Sequence, residues 1–281
     1  MVVLRFICVY LRHLREISLF FFKTKIALFY CIFALKLGKL VKIMRKVWVI
    51  ADIHGCSKTL RALIEDMIRP SKYDWLYFLG DYIDRGPDSK GVIDYLMHLQ
   101  EEEYNSRFLM GNHEDVFIRT YDADLRKRKF LGIKLPNPAK KDWFDMYGRS
   151  TLDSFGVKNI SDIPEKYIKW IKKLEPYIEL DKYILVHAGL NFDIENPFDD
   201  KESMLWIRDY KIIPEKINHK KIIHGHTPVS LEFIYLMNKN RNYHFIDLDN
   251  GCCLVNHEGF GNLVAYELNS KEILVQNNIE F

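Results

Sequence analysis

The chain has 281 residues, of which 48% are hydrophobic and 28% are charged. A chain of this length and composition can bury a full core, which excludes a disordered protein and a small disulfide-stapled scaffold. The formal net charge of +3 does not indicate nucleic-acid binding, because the positive charge is concentrated at the amino terminus. Residues 1–46 contain ten lysines or arginines and one acid, whereas the remainder has 31 basic and 37 acidic residues, a net charge of −6.

Residues 1–43 are predicted to form a basic, apolar extension outside the folded domain, which spans 44–281. The longest uncharged run, Ile26–Leu35, has ten residues, and a membrane-spanning helix needs about 20. Basic residues flanking aromatic ones also suit a membrane-surface helix, so membrane contact is expected only if this extension is present in the cell. The favoured interpretation is that the first 43 residues are an over-extended reading frame and that the protein starts at Met44, directly before the first predicted strand.

Short apolar strands alternate with helical patterns from Met44 onward, which is typical of an α/β protein. The first predicted elements are, in chain order, strand Lys46–Ala51, helix Ser57–Ile68, strand Trp75–Leu79, helix Asp88–Leu99, strand Arg107–Met110 and a helix from Glu114. Residues 121–180 are more polar and more helical. Ser161 or Asp162 is predicted to cap a helix in that region.

Strand patterns dominate the second half of the chain. The predicted strands are Tyr183–Val186, Lys221–Ile223, Tyr243–Leu248, Gly251–Val255, Leu263–Leu268 and Glu272–Gln276. Residues 229–245 are interpreted as a connection.

The cysteines indicate a reducing compartment. Their odd number and the lack of a Cys-x-x-Cys pair favour free thiols, most of them small buried residues, in a cytoplasmic protein. The five cysteines are Cys8, Cys31, Cys56, Cys252 and Cys253.

Polar residues follow five of the predicted strands at the point where each strand ends. The five segments are Asp52-Ile53-His54-Gly55, Gly80-Asp81-Tyr82-Ile83-Asp84-Arg85-Gly86, Gly111-Asn112-His113-Glu114, His187-Ala188-Gly189 and His224-Gly225-His226-Thr227-Pro228. The carboxyl ends of strands form the binding crevice of open α/β sheets. We therefore expect these segments to meet in one site.

Six side chains of these segments have the chemistry of metal ligands. They are Asp52, His54, Asp81, Asn112, His187 and His226. Oxygen and nitrogen ligands without thiolates suit two divalent ions such as manganese, iron or zinc. Two ions that share six ligands need a bridge, and Asp81, central in chain order, is the candidate. Asn112 alone could be a helix cap and His187 alone a core histidine, but no structural need explains all six.

The five segments, in this order, resemble the calcineurin-like metallophosphoesterases, and more narrowly the PPP-type serine/threonine phosphatases in their compact bacterial and lambda-phage form. The similarity runs from about Lys46 to Leu268 and includes Trp206-Ile207-Arg208 and Asp249-Asn250-Gly251. It implies a four-layer αββα sandwich with two mixed β-sheets. One departure is Ala51, which stands where the family usually has glycine.

The resemblance also implies how the metal ligands divide between two ions. One ion would be held by Asp52, His54 and Asp81, and the other by Asp81, Asn112, His187 and His226. The implied reaction is direct attack on the phosphoester by a hydroxide that bridges the ions.

The remaining roles follow from the same resemblance. His113 would be the general acid that protonates the leaving oxygen, and Asp84 would orient its ring. Arg85, Arg208 and Asn112 would bind the phosphoryl oxygens. Bottom-up chemistry agrees, because phosphoryl transfer depends mainly on positioning and charge neutralisation.

We therefore expect a metal-dependent phosphatase of phosphomonoesters, acting on phosphoserine and phosphothreonine in proteins or on a small phosphoester, with two divalent ions and manganese as the first choice. One alternative is symmetrical diadenosine tetraphosphate hydrolysis. Relatives of that kind typically carry Gln, Asn and Asp where this chain has His54, Asp84 and Glu114. Less favoured is a non-catalytic scaffold, because no ligand has been lost.

Substrate choice is expected to depend on residues 121–180 and 229–245, which surround the crevice. The basic run Arg126-Lys127-Arg128-Lys129, with Lys140-Lys141 after it, is interpreted as a solvated face. The alternative is a patch that attracts an acidic substrate.

Overall fold

The computed structural model describes residues 45–126 and 138–281, together with two short strands between these ranges. The predicted extension 1–43, and with it Cys8 and Cys31, lies outside the described residues. So do Lys127 and Arg128 of the basic run. Residues Lys46–Phe281 form one compact unit.

The described strands begin directly after the extension. They are β1 Val47–Ile50, β2 Trp75–Phe78, β3 Asn105–Phe108, β4 Lys129–Phe130, β5 Ile133–Lys134, β6 Tyr177–Glu179, β7 Tyr183–Val186, β8 Lys221–His224, β9 Phe245–Asp247, β10 Asn262–Glu267 and β11 Ile273–Asn277.

The described α-helices lie between these strands. They are α1 Ser57–Arg61, α2 Ser89–Glu101, α3 Asn112–Leu125, α4 Pro138–Asp145, α5 Gly148–Phe155, α6 Glu165–Ile171, α7 Lys201–Trp206 and α8 Leu231–Lys239. Helix α1 continues as a π-helix over Ala62–Ile68, and 3₁₀ turns occupy Ile160–Asp162 and Pro214–Ile217. No helix among the described residues combines the length and the apolar character that crossing a bilayer requires.

Two mixed sheets form the centre of the fold, as the resemblance implied. The first sheet has the strand order β11-β10-β1-β2-β3, with β1, β2 and β3 parallel and β10 antiparallel to β1. The second sheet has the order β6-β7-β8-β9, with β7, β8 and β9 parallel and β6 antiparallel to β7. A separate two-stranded ribbon pairs β4 with β5.

The alternation of side chains along the strands produces four layers. Ile50 of β1 faces the helical layer and packs in one buried cluster with α1 and α2. Its neighbour Val49 points to the opposite face and shares a buried cluster with Leu185 of the second sheet. On the outer face of the second sheet, Ile184 packs in a third cluster with α7. The predicted αββα sandwich is confirmed.

One local prediction about the second half of the chain is wrong. Residues Gly251–Val255 do not form a strand, because the chain turns there and the Leu254 amide donates to the Gly251 carbonyl at 2.7 Å. Residues 229–245 connect β8 to β9, and they contain helix α8, which buries Ile234 and Met237.

The predicted cap at Ser161 or Asp162 is also wrong. Asp162 instead accepts the Asn159 amide at 3.2 Å within the 3₁₀ turn, and α6 begins after Pro164. Strand β3 starts two residues earlier than predicted.

The three cysteines among the described residues carry free thiols, as predicted. Cys56 and Cys252 are buried, and Cys253 is half-buried.

Candidate active site

The structure brings the six candidate ligands together at the carboxyl ends of five parallel strands. All six side chains are at most 7% exposed. The first sheet contributes Asp52 and His54 after β1, Asp81 after β2 and Asn112 after β3, and the second sheet contributes His187 after β7 and His226 after β8.

The loops that carry these ligands turn sharply as they leave the strands. His54, Asp81 and His226 have φ values of 49°, 50° and 74°. This left-handed region is uncommon for residues other than glycine, and such strain concentrates at functional sites. The His54 amide donates to the Asp81 carbonyl at 2.8 Å, which ties the first two loops together.

Asp81 lies between two groups of imidazoles. Its Oδ2 is 3.5 Å from His54 Nε2, and its Oδ1 is 3.5 Å from His187 Nε2. The ligand atoms of Asp81, His54 and His113 lie within 4.8 Å of one another, and so do those of Asp81, His187 and His226. One carboxylate is therefore shared by two groups of donor atoms.

Backbone carbonyls orient two of the imidazoles. His54 Nδ1 lies 3.1 Å from the Ile83 carbonyl, and His187 Nδ1 lies 3.0 Å from the Leu79 carbonyl. Because a carbonyl only accepts, each Nδ1 carries the hydrogen, and each Nε2 presents a lone pair to the site. Such outer hydrogen bonds orient metal-binding histidines.

Three atoms that could bind a metal ion, one from each of Asn112, His187 and His226, lie close together. Asn112 Oδ1 is 2.9 Å from His187 Nε2 and 3.1 Å from His226 Nδ1. With the hydrogen of His187 on Nδ1, the Nε2 and the amide oxygen face each other as two lone pairs. A cation between such atoms stabilises the arrangement.

Two buried polar atoms of the site have no hydrogen-bond partner in the described part of the chain. They are Oδ1 of Asp52 and Nε2 of His226. The other oxygen of Asp52 accepts the His226 amide at 2.9 Å. Burial, together with the charges of Asp249 and Asp81, raises the pKa of Asp52 well above its ordinary value. Buried carboxylates that repel one another fit a site built for divalent cations.

Burial favours the neutral form of the candidate imidazole ligands, which is the form that binds a metal. It lowers the pKa of His54 and of His187, and it lowers the pKa of His226 to about 3. Burial alone would raise the pKa of Asp81, but the surrounding histidines hold it below its ordinary value. The surroundings of Asp81 therefore favour the carboxylate form.

His113 and Asp84 form a buried pair beside this cluster. His113 Nδ1 lies 2.8 Å from Asp84 Oδ2, and its Nε2 lies 3.9 Å from Asp81 Oδ2. Burial lowers the pKa of His113, but the Asp81 and Asp84 carboxylates outweigh it and raise the pKa above its ordinary value. The ring can thus hold a proton on the nitrogen that faces the site.

Helices α4 and α5 supply two further partners of Asp84 that the sequence did not reveal. Trp143 Nε1 donates to Asp84 Oδ2 at 3.0 Å, and Thr151 Oγ1 donates to Asp84 Oδ1 at 2.6 Å. Both residues are fully buried. They fix the carboxylate that orients His113.

Glu114 braces the loops after β2 and β3. Its carboxylate accepts the amides of Asp81, Tyr82 and Ile83 at 2.9, 2.8 and 3.2 Å, and the Gly111 amide at 3.1 Å. The motif pointed to this residue, but no role had been assigned to it. Such a fully bonded buried carboxylate rigidifies its surroundings.

Both candidate arginines, Arg85 and Arg208, line one cavity together with His54 and His226. Its volume of about 120 Å³ is sufficient for a phosphoryl group. Asp249 and Cys253 lie on the same wall. His224, the last residue of β8, contacts the Gly225 carbonyl at 3.1 Å and Asp247 Oδ2 at 3.9 Å.

The sequence profile of the calcineurin-like phosphoesterases matches residues 45–263. The chain therefore belongs to the calcineurin-like phosphoesterase family, and the resemblance found in the sequence is confirmed.

Two kinds of relatives are similar to this chain. Serine/threonine-protein phosphatase 1 of Salmonella typhimurium is 28% identical over 72% of this chain and 86% of its own length. An asymmetrical bis(5′-nucleosyl)-tetraphosphatase of Oceanobacillus iheyensis is 27% identical over 82% of this chain and 91% of its own length. A symmetrical bis(5′-nucleosyl)-tetraphosphatase of Buchnera aphidicola is 29% identical over 51% of this chain. That match spans 44% of the Buchnera protein, less than half of its length.

Among solved structures, a protein serine/threonine phosphatase from Saccharomyces cerevisiae shares the fold. It has a TM-score of 0.56 at 16% identity, covering 84% of this chain and 81% of the yeast chain.

Proposed function

We propose that this protein is a metal-dependent phosphatase that hydrolyses phosphomonoesters, with phosphoserine and phosphothreonine side chains of proteins as its substrates. One observation carries the proposal. The Asp81 carboxylate is shared by two groups of donor atoms, directly beside the buried pair of His113 and Asp84. A site with this arrangement can hold two cations and deliver a proton next to them.

Two divalent ions fit the six candidate ligands. The residues that would hold them are Asp52, His54 and Asp81 for one ion, and Asp81, Asn112, His187 and His226 for the other. Bound ions of this kind supply positive charge beside the phosphoryl group and lower the pKa of water. Manganese is the ion we propose first, with iron and zinc as the alternatives, since the ligands are oxygen and nitrogen atoms only.

The residues of the chain then divide the remaining work. Arg85 and Arg208 bind and orient the phosphoryl oxygens, because a planar guanidinium can donate to two oxygens at once. His113 donates the proton on Nε2 to the leaving oxygen. Asp84 holds the ring at 2.8 Å and stabilises its charged form.

Hydrolysis of dinucleoside tetraphosphates is the second candidate, because the Buchnera and Oceanobacillus relatives are both named bis(5′-nucleosyl)-tetraphosphatases. Three motif positions, His54, Asp84 and Glu114, differ from the residues typical of the symmetrical enzymes. In this chain Asp84 contacts His113, and Glu114 accepts the loop amides. We therefore place the phosphoprotein substrate first.

We also infer a cytoplasmic location. The free thiols of Cys56, Cys252 and Cys253 support a reducing compartment.

A side-by-side assay tests the proposed function. The full chain is supplied with Mn²⁺ and offered phosphoserine peptides, diadenosine tetraphosphate, a bis-aryl phosphodiester and small phosphomonoesters. We expect the phosphopeptides to have the highest kcat/KM, and chelation to abolish turnover until Mn²⁺ is returned. Preference for diadenosine tetraphosphate would instead establish the second candidate. Turnover that survives exhaustive chelation would overturn both.

A further inference from the structure

An exposed tyrosine stands beside the phosphoryl-binding cavity. Tyr147 is 62% exposed. The guanidinium carbon of Arg85 lies 5.7 Å from the centre of the Tyr147 ring. Since Arg85 also lines the cavity, it is in contact with the ring on one side and with the phosphoryl site on the other.

The position of Tyr147 is fixed by the catalytic centre. It lies four residues from both Trp143 and Thr151, and both of these donate hydrogen bonds to Asp84. Gly148, which follows Tyr147, packs so tightly that a Cβ there would come within 2.2 Å of the Trp143 ring. Helices α4 and α5 are therefore held against Asp84 by Trp143 and Thr151, while Tyr147, in the turn between the two helices, faces solvent.

The backbone of Tyr147 is strained. Tyr147 has a φ of 68° and a ψ of 21°, in the left-handed region where a bulky residue is an outlier. Its hydroxyl makes no hydrogen bond within the described part of the chain. The backbone of this turn is held by the Tyr147 amide, which donates to the Phe144 carbonyl at 3.1 Å, and by the Ser150 amide, which donates to the Tyr147 carbonyl at 3.2 Å, so the exposed ring is held in place.

Arg85 connects Tyr147 to the cavity. The cavity volume of about 120 Å³ is sufficient for a phosphoryl group, and Arg85 lines it with Tyr147 next to its guanidinium. An exposed aromatic ring in this place can stack on a planar group, and the neighbouring guanidinium adds a cation–π contribution.

We propose that Tyr147 is a specificity-determining residue that stacks on a planar ring in the leaving group of the substrate. This inference rests on the proposed phosphatase activity and goes beyond its phosphoserine and phosphothreonine substrates, whose side chains carry no ring. A suitable ring occurs in the phenol of phosphotyrosine and in a nucleobase. Between two otherwise similar phosphomonoesters, the enzyme therefore favours the one that carries such a ring a few atoms from the phosphorus.

Paired substrates isolate the contribution of the ring. Adenosine 5′-monophosphate and ribose 5-phosphate have the same leaving alkoxide and differ in the base. Phosphotyrosine and phosphoserine form the second pair. Their leaving groups differ in chemistry, but this difference is the same for every variant. It cancels when the phosphotyrosine-to-phosphoserine ratio of kcat/KM in a variant is divided by the same ratio in the wild type. The full chain with Mn²⁺ is assayed for kcat/KM by phosphate release. For any compound that binds without turnover, Ki against phosphoserine hydrolysis gives the same ratio.

Three variants separate the ring from the backbone. Tyr147→Gly removes the ring at a φ that glycine tolerates, so the fold and the melting temperature are expected to persist. It should lower the preference for the ring-bearing member of a pair roughly tenfold, whereas Tyr147→Phe keeps it. Tyr73, 71% exposed just before β2 at the opposite end of the strand, provides the matched control Tyr73→Ala, which should change neither ratio.

A loss of preference in either pair supports the inference, and the affected pair identifies the source of the ring. Unchanged ratios in Tyr147→Gly would overturn it, provided that wild-type protein hydrolyses phosphomonoesters. Failure of the wild type to hydrolyse any of the four compounds would instead contradict the proposed function.

Discussion

The two sheets contribute to the candidate active site in different ways. The first sheet supplies both carboxylate ligands, Asp52 and Asp81, and its loops are cross-braced by Glu114. The second sheet supplies two neutral imidazoles, His187 and His226. All of the negative charge among the candidate ligands therefore comes from the first sheet, together with His113, whereas the second sheet contributes imidazoles only. Substitution of Asp81 should affect the whole site, whereas substitutions in the second sheet should affect one metal position.

The largest effect is expected from Asp81→Asn. Because Asp81 is shared by both groups of donor atoms, the variant should lose both ions, and turnover should fall by at least about 10³-fold. Metal content by plasma mass spectrometry, together with kcat/KM, measures this. His226→Ala is the matched change in the second sheet, and it should retain one ion. Two ions bound to purified Asp81→Asn would contradict a shared carboxylate.

His113→Asn tests the source of the proton. It should lower kcat by about 10²–10⁴-fold, since the general acid is lost while the ligands remain. Metal content and the circular dichroism spectrum should stay unchanged. The loss should be smaller for aryl phosphates, whose leaving groups need little protonation. Equal losses for alkyl and aryl substrates would rule against the acid role.

Arg208→Ala tests whether the arginine on the side of the second sheet binds the phosphoryl oxygens. The cavity would lose one of its two guanidinium groups, so inhibition by free phosphate should weaken by roughly tenfold or more. The Ki of phosphate measures the effect, and Arg85→Ala provides the comparison from the first sheet. Phosphate inhibition that does not change in Arg208→Ala would show that this side chain does not bind the anion.

Trp143→Phe is expected to have the smallest effect. It removes one hydrogen bond to Asp84 and keeps an aromatic ring, so kcat should fall roughly three- to tenfold with metal content unchanged. Trp170, which donates to Gln100 at 2.8 Å, gives the control Trp170→Phe with wild-type kcat. A wild-type kcat in Trp143→Phe would mean that Thr151 alone holds the carboxylate.

The gathering of the candidate ligands could be predicted from the sequence because each one follows a recognisable apolar strand. Parallel strands of one sheet bring their carboxyl ends to one edge, so chain order was enough to expect that Asp52, Asp81 and Asn112 meet. The partners of Asp84 could not be predicted in this way. Trp143 and Thr151 lie 59 and 67 residues further along the chain, and nothing in their local pattern marks them.

The errors in local structure have a similar origin. The apolar stretch Gly251–Val255 satisfies strand propensity, but tertiary contacts hold it in a turn, with Cys253 Sγ 3.2 Å from the His54 carbonyl. Asp162 is a good capping residue that was assigned to the wrong turn, because Pro164 delays the start of α6. Propensity identified the residue types correctly, but long-range packing decided where they act.

The left-handed backbone at the catalytic loops has a consequence for protein engineering. Each such residue costs about 1–2 kcal/mol relative to a relaxed conformation, and Asp84 and Arg85 add two more cases, with φ values of 68° and 65°. Selection for thermal durability alone should therefore favour glycine or asparagine at these positions. The resulting variants would be more stable but inactive, so directed evolution of this scaffold needs a screen for turnover at every round.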